Sequence, residues 1–165
     1  MRAKRGRRLR KPNGNALADL CVRRSSIHGK GVYTTRIIRK GTRIIEYTGA
    51  RLPWKIARKL PPHDTSDIYH TFYYSLENGD VIDAGNGGNE SRWINHSCEP
   101  NCATDEEQSR IFIYALRTIY PGEELLYDYL IQPAERRTKR VERAFACFCG
   151  SPLCRRTMLE PTKTA

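Results

Sequence analysis

The chain is 165 residues long, 39% hydrophobic and 28% charged, with a formal charge of +11. That length closes one core and leaves no room for a second large domain. No run approaches the ~20 apolar residues that cross a bilayer, so no membrane partner is expected, and the positive excess points to an acidic or polyanionic partner rather than to a fold.

Seven of the first eleven residues are Lys or Arg, and no acid precedes Asp19. Residues 1–18 have no apolar face and are expected to form a disordered basic tail. Such a tail either solubilises the terminus or contacts nucleic-acid phosphates without sequence preference. No apolar stretch follows it, so no secretory signal is expected.

From Leu20 to Tyr33 apolar and polar residues alternate, and the run ends in Ile27-His28-Gly29-Lys30-Gly31-Val32-Tyr33. Two glycines one residue apart allow a sharp turn or a close backbone approach to a ligand, and alone they read as a hairpin turn. Arg43 to Tyr47 is β-prone and ends at Gly49. Leu52 to Leu60, with Trp54, Ile56, Ala57 and Leu60 among basic residues, suits a short amphipathic helix stopped by Pro61-Pro62. Tyr69 to Leu76 reads as an aromatic strand, with Phe72 assigned to the core and Tyr69, Tyr73 and Tyr74 left open between core and a channel wall. Asn78-Gly79 predicts a type I′ hairpin into Val81-Ile82-Asp83.

Residues 92–102 read Arg-Trp-Ile-Asn-His-Ser-Cys-Glu-Pro-Asn-Cys. So polar a run cannot be a simple core strand, and if buried it must hydrogen-bond to backbone or to a polar ligand. Pro100 makes its second half a loop. Arg110 to Leu116 is a buried strand. Leu125 to Tyr129 is another, placing Tyr127 and Tyr129 on one face because they are two residues apart. Finally, Cys147, Cys149 and Cys154 have the spacing of a tetrahedral metal site that lacks one ligand, and Cys98 is the candidate fourth. Six cysteines could instead form three disulfides in a secreted protein; the metal-like spacing favours an intracellular one. Cys21 and Cys102 are left over and are expected to be buried thiols.

Four of these pieces, in order, resemble the signature of the SET-domain protein lysine methyltransferases: Gly29-Lys30-Gly31-Val32, Glu46-Tyr47-Thr48-Gly49, the run from Arg92 to Cys102, and Glu124-Leu125-Leu126-Tyr127-Asp128-Tyr129. The cysteine cluster is similar to that family's zinc-binding post-SET segment. The resemblance implies a mainly β SET fold of several small sheets, with a pseudoknot-like crossing at the active site, few short helices and a zinc-bound C-terminal segment. It divides the chain into a tail (1–18), a SET domain (19–131) and a basic linker with the post-SET segment (132–165).

It also implies methyl transfer from S-adenosylmethionine to the ε-amine of a lysine in another protein. In that reading Tyr129 orients the amine, Tyr47 assists, and Tyr127 narrows the pocket toward mono- or dimethylation. Ile27, Lys30, Gly31, Val32, Arg92, Asn95 and His96 are the cofactor contacts, and Cys98, Cys147, Cys149 and Cys154 hold a structural zinc. The chain has no Cys-rich segment ahead of the SET motifs and no reader domain, so the substrate stays open between a histone, a DNA-packaging or ribosomal protein, and a host-cell protein if the source is microbial. The location follows the substrate: cytoplasm, chromatin or a host cell. A rival reading is a catalytically inactive SET-fold module that binds chromatin or nucleic acid, supported by the basic tail and opposed by the intact Tyr129, Asn95, His96 and Gly-x-Gly loop.

Overall fold

The computed structural model describes residues 19–66 and 69–162, so the basic tail expected over 1–18 lies outside the described residues. Among the described residues there are four small sheets. The first is an antiparallel hairpin of β1 (Leu20–Arg24) and β2 (Lys30–Thr34). The second places β3 (Arg43–Tyr47) beside β9 (Arg110–Ala115), which pairs in turn with β8 (Cys102–Glu107). The third sets β6 (Asp80–Asp83) between β4 (Ala50–Pro53) and β5 (Tyr73–Ser75). The last is a two-residue parallel pair of β7 (Asn95–His96) and β10 (Leu126–Tyr127). The complete helical elements among the described residues are α1 (Trp54–Ala57), α2 (Lys139–Ala144) and a 3-10 turn, Glu90–Trp93. This is the mainly β architecture expected.

The core explains the apolar runs. Val32, Ile44, Ile45, Ile94, Ile113, Ile119 and Leu125 form one buried cluster, and Tyr47, Leu76, Ile82, Ala84 and Ile111 form another. β9 is central in its sheet and buried from Ile111 to Ala115, which is why it reads as a continuous apolar run rather than an alternating one.

Several local expectations change. The helix expected over 52–60 shrinks to one turn, because Leu52 is paired with Val81 in β4 and Pro53 serves as the N-cap. Only Tyr73–Ser75 of the aromatic run pairs as a strand. Asn78-Gly79 is not a type I′ turn: only Gly79 has positive φ (85°), and Leu76 and Asp80 close a three-residue loop. The two consecutive positive-φ residues that a type I′ turn needs are Gln108 (52°) and Ser109 (59°), between β8 and β9. Cys21 is exposed, contrary to expectation, because β1 is the outer strand of a two-stranded hairpin; Cys102 is fully buried as expected.

The positioning of the site rests on one crossing. The segment 124–129 lies across 94–101, and Asn101 supplies the bonds that two-residue strands cannot. Its Nδ2 donates to the Glu124 carbonyl (2.7 Å), and its Oδ1 accepts from the Leu126 N–H (2.8 Å). Asn95, His96, Ser97 and Asn101 are all buried, and each is hydrogen-bonded, which is how so polar a run is accommodated.

Candidate active site

A cavity of about 1190 Å³ opens where the crossing, the β1–β2 hairpin loop, the 54–75 segment and the C-terminal segment meet. Of the sequence-predicted residues, Ile27, Lys30, Tyr47, Arg92, Asn95, His96, Tyr127, Tyr129 and Cys147 line it. Gly31 and Val32 do not. Val32 is fully buried in the core, and Gly31 is packed against Glu124.

Tyr47, Tyr127 and Tyr129 share one wall of the cavity. The rings of Tyr127 and Tyr129 are 4.8 Å apart, and Tyr74 links Tyr127 to Tyr47 at 6.4 and 5.4 Å. Tyr129 donates its hydroxyl proton to the Ile94 carbonyl (2.8 Å), and Tyr47 donates to the Phe72 carbonyl (2.9 Å). With those protons committed, both oxygens present only acceptor lone pairs to the cavity. The Tyr127 hydroxyl makes no hydrogen bond to a described residue. Burial pushes all three phenols well above the ordinary tyrosine range, so they are neutral at physiological pH. Tyr74, which the sequence left open, spends its hydroxyl on Thr104 (2.6 Å), and Phe72 lies half-buried edge-on to Trp93.

On the hairpin side, Asn95 acts through its side chain. Its Nδ2 lies within hydrogen-bond distance of the His28 carbonyl (3.2 Å), the Lys30 carbonyl (2.8 Å) and Glu124 Oε1 (2.8 Å). Glu124 is the hub that sequence reasoning missed. Its other oxygen accepts from Ser25 Oγ and Tyr33 Oη, both at 2.9 Å. A Cβ on Gly31 would lie 2.2 Å from Glu124 Oε1, so the second glycine of Gly-x-Gly makes room for a carboxylate of the protein itself. The first, Gly29, has φ of +47° and makes the turn.

This side also fits an amino-acid-bearing cofactor. Arg92 donates from one terminal nitrogen to the Ala84 carbonyl (3.1 Å), while its buried Nε has no partner among the described residues. A buried donor without an acceptor is costly, and a ligand carboxylate would satisfy it. Lys30 Nζ lies 4.7 Å from the centre of the Trp93 ring, adding a second cation at the same edge.

His96 does not turn its ring freely into the cavity. Nδ1 accepts the Tyr129 N–H (3.1 Å), which leaves the proton on Nε2, 3.4 Å from Cys98 Sγ. Burial lowers its pKa to about 4, with Asp128 opposing and Arg155 adding to the shift, so the ring is neutral. Behind it, the sulfurs of Cys98, Cys147, Cys149 and Cys154 all lie within 4.8 Å of one another, and Cys98 and Cys147 are 3.8 Å apart. Zn–S bonds of about 2.3 Å put tetrahedral sulfurs ~3.8 Å apart, so the four thiols fit zinc. The backbone N–H groups of Arg155, Cys149 and Arg156 point at three of the sulfurs, at 3.3 to 3.4 Å, as they would toward thiolates. Arg155 also grips Asp128 through two 2.7 Å bonds, tying the cysteine segment to the strand that carries Tyr127 and Tyr129.

Comparison with known proteins agrees with this geometry. A SET-domain family model matches residues 29–130. The chain is 38% identical over 158 residues to histone-lysine N-methyltransferase 2B of Homo sapiens, covering 93% of this chain and 6% of that protein. It is 37% identical over 139 residues to histone-lysine N-methyltransferase trithorax of Drosophila melanogaster (82% and 4%). It is 38% identical over 137 residues to the H3 lysine-4 specific histone-lysine N-methyltransferase of Neurospora crassa (80% and 10%). The chain thus spans a small part of each relative's length. Since the matched residues cover more than half of the sequence and carry both the crossing and the tyrosine wall, the chain belongs to the SET-domain family.

Proposed function

We propose that the chain is an S-adenosylmethionine-dependent protein-lysine N-methyltransferase whose substrate is a histone or another basic, DNA-binding or ribosomal protein. The observation that carries this reading is the convergence of Tyr47, Tyr127 and Tyr129 with the 27–30 loop and Arg92 on one cavity. We read 19–131 as the catalytic domain and 132–165 as a linker and zinc segment. The names of the relatives support a histone target and a chromatin location.

S-adenosylmethionine, when bound, supplies an electrophilic methyl group on a sulfonium. The loop backbone at 27–30, the unpartnered Nε of Arg92 and Lys30 would hold it, with Asn95 keeping the loop in place. The lysine substrate must arrive as a neutral amine, although free lysine has a pKa of about 10.4. An apolar aromatic channel lowers that value by desolvation. Because the three phenols are neutral, none acts as a tyrosinate base. The oxygens of Tyr129 and Tyr47 instead accept the amine's N–H bonds, which turns its lone pair away from them and toward the methyl donor. Alignment of this kind supplies much of the acceleration. The unpaired Tyr127 hydroxyl occupies space that a further methyl would need, which favours mono- or dimethylation. Zinc on Cys98, Cys147, Cys149 and Cys154 would be structural, since four thiolates leave no open position.

The test is methyl transfer from labelled S-adenosylmethionine to a panel of histones, bacterial DNA-binding proteins and total lysate, with Tyr129→Phe as the control. Label on a discrete protein, lowered about 100-fold or more in the variant, is expected. Absence of both transfer and cofactor binding would refute the reading and favour a binding module.

A further inference from the structure

The cavity is poorly suited to select a basic tail by charge. Among the described residues its lining includes the cations Lys30, Arg58 and Arg92 and one carboxylate, Glu135. That carboxylate is already engaged, accepting from Arg140 (2.9 Å) and from the Tyr69 hydroxyl (3.2 Å). A free lysine-rich peptide meets net repulsion at such a mouth, whereas a polyanion beside it is attracted.

The rim of the cavity offers a surface for that polyanion. α2 runs from Lys139 to Ala144, and Ala144 and Phe145 at its end line the cavity. Val141 is fully buried, and Thr138 caps the helix by accepting the Val141 N–H (3.3 Å), so the opposite side faces solvent. On that side Lys139 and Arg143 stand one turn apart, with Arg136 just ahead of the helix, and all three are exposed. The acids of this region are spent elsewhere: Glu142 on Arg137 (3.1 Å), Asp128 on Arg155, and Glu160 on Gln132 (2.7 Å). Arg136, Lys139 and Arg143 therefore have no ion-pair partner among the described residues. Like charges held together at this spacing repel unless something anionic lies across them.

We propose that the Arg136, Lys139 and Arg143 face binds the phosphodiester backbone of duplex DNA, placing the cavity mouth against lysines of proteins bound to that duplex. The choice of lysine rests on the methyltransferase reading, while the duplex contact does not. Val141 and the helix cap fix this face relative to the cavity. Contacts to the backbone carry no sequence preference, so the surface directs the enzyme to nucleoprotein as a class.

The test uses the full chain and the triple variant Arg136→Gln, Lys139→Gln, Arg143→Gln. Binding of a fluorescent mixed-sequence DNA duplex is followed by anisotropy across a salt series, with zinc content and melting temperature confirming that the variant is folded. Each phosphate contact contributes a slope of about −0.9 in log K against log salt, so the variant's slope should be shallower by about 2.7. An unchanged slope would overturn the proposal by assigning duplex contact to another part of the chain. Displacement of the duplex by polyglutamate as readily as by unlabelled duplex, at equal charge concentration, would also overturn it. A second arm compares methyl transfer to core histones, free and assembled on DNA. The parent should favour the assembled form, and the variant should lose that preference while keeping its rate on free histones. Equal preference in both proteins would overturn the presenting role. No transfer to either form, with the slope difference intact, would support the surface and count against a histone substrate.

Discussion

The fit between Gly31 and Glu124 can be tested by a double-mutant cycle. Glu124→Ala removes a carboxylate that accepts from Asn95, Ser25 and Tyr33. Hydrogen bonds to a charged group are worth about 1.5–3 kcal/mol each, but two of the three donors have a local alternative. Asn95 retains the His28 and Lys30 carbonyls, and Tyr33 retains the Arg24 carbonyl at 3.3 Å. A loss of about 3–4 kcal/mol is therefore expected for Glu124→Ala, and about 1–2 kcal/mol for Glu124→Gln, whose amide keeps the shape and lets the two hydroxyls reorient. Gly31→Ala should destabilise the parent as well, because its Cβ meets Glu124 Oε1 at 2.2 Å and Cδ at 2.7 Å. With Glu124 already truncated, the closest remaining neighbour of that Cβ is Ser25 Cβ at 3.1 Å, so the second substitution should cost little. The two changes should thus be non-additive by about 1–3 kcal/mol, the double variant being more stable than the sum of the singles predicts. Urea unfolding midpoints give the stabilities, and calorimetric binding of S-adenosylmethionine should weaken in both single variants because the 28–30 loop loses its anchor. Additivity within about 0.5 kcal/mol would refute the view that Gly31 exists to admit the Glu124 carboxylate.

Three further outcomes follow from the site. Cys98→Ala should take the purified protein from one zinc per chain to well below one; a full equivalent of zinc in that variant would remove Cys98 from the ligand set. Tyr127→Phe should raise the methylation state of the product, read by mass spectrometry, with stability within about 1 kcal/mol of the parent since no hydrogen bond is lost. An unchanged product distribution would dismiss the space-filling role of that hydroxyl. Alkaline pH should destabilise the fold through Tyr47, Tyr127 and Tyr129, whose pKa values are raised by burial. Their stabilising effect is complete below the unfolded value near 10 and is lost as pH rises above it, at about 1.4 kcal/mol per unit for each, or ~4 for the three together. Tyrosinate absorbance should show these rings ionising only with unfolding; ionisation of every tyrosine near pH 10 in a folded protein would contradict their burial.

The sheets were legible where one residue pattern had one physical solution. The run from Ile111 to Ala115 could only be a strand buried on both faces, and the hairpin around Gly29 needed a residue tolerant of positive φ. Turn chemistry was the weaker guide. Asn78-Gly79 carries the side chains that a type I′ turn favours, yet Leu76 and Asp80 pair across a three-residue loop and leave Asn78 in ordinary backbone geometry. Meanwhile Gln108 and Ser109 adopt the two positive φ angles because a six-residue ladder between β8 and β9 fixes the register and forces the connection. Tertiary pairing outweighed local preference in both places.

The candidate site shows a sharper division. Groups that face the cavity, Tyr47, Tyr127, Tyr129, Arg92 and the Gly29-Lys30 turn, were legible through the family resemblance, since alone the tyrosines read as ordinary core and the Gly-x-Gly as a hairpin turn. Groups that hold them were not, because a Glu in a turn or an Asn after a Pro has an ordinary surface role in most sequences. Glu124, Asn101, Asp128 and Arg155 become informative only when their partners, 23 to 99 residues away along the chain, are known. The crossing makes these long-range bonds necessary. A two-residue parallel pair cannot hold two segments in register by itself, so side chains of 94–101 must bond to the backbone of 124–129. Asn101 and His96 do this with one atom each on Leu126 and Tyr129, and Tyr129 returns a bond to Ile94. The catalytic tyrosine proposed here is thereby fixed at both its backbone and its hydroxyl by the run that contacts the cysteine cluster. Loss of the metal should accordingly disturb the tyrosine wall through Cys98 and His96, even though zinc would take no part in the reaction.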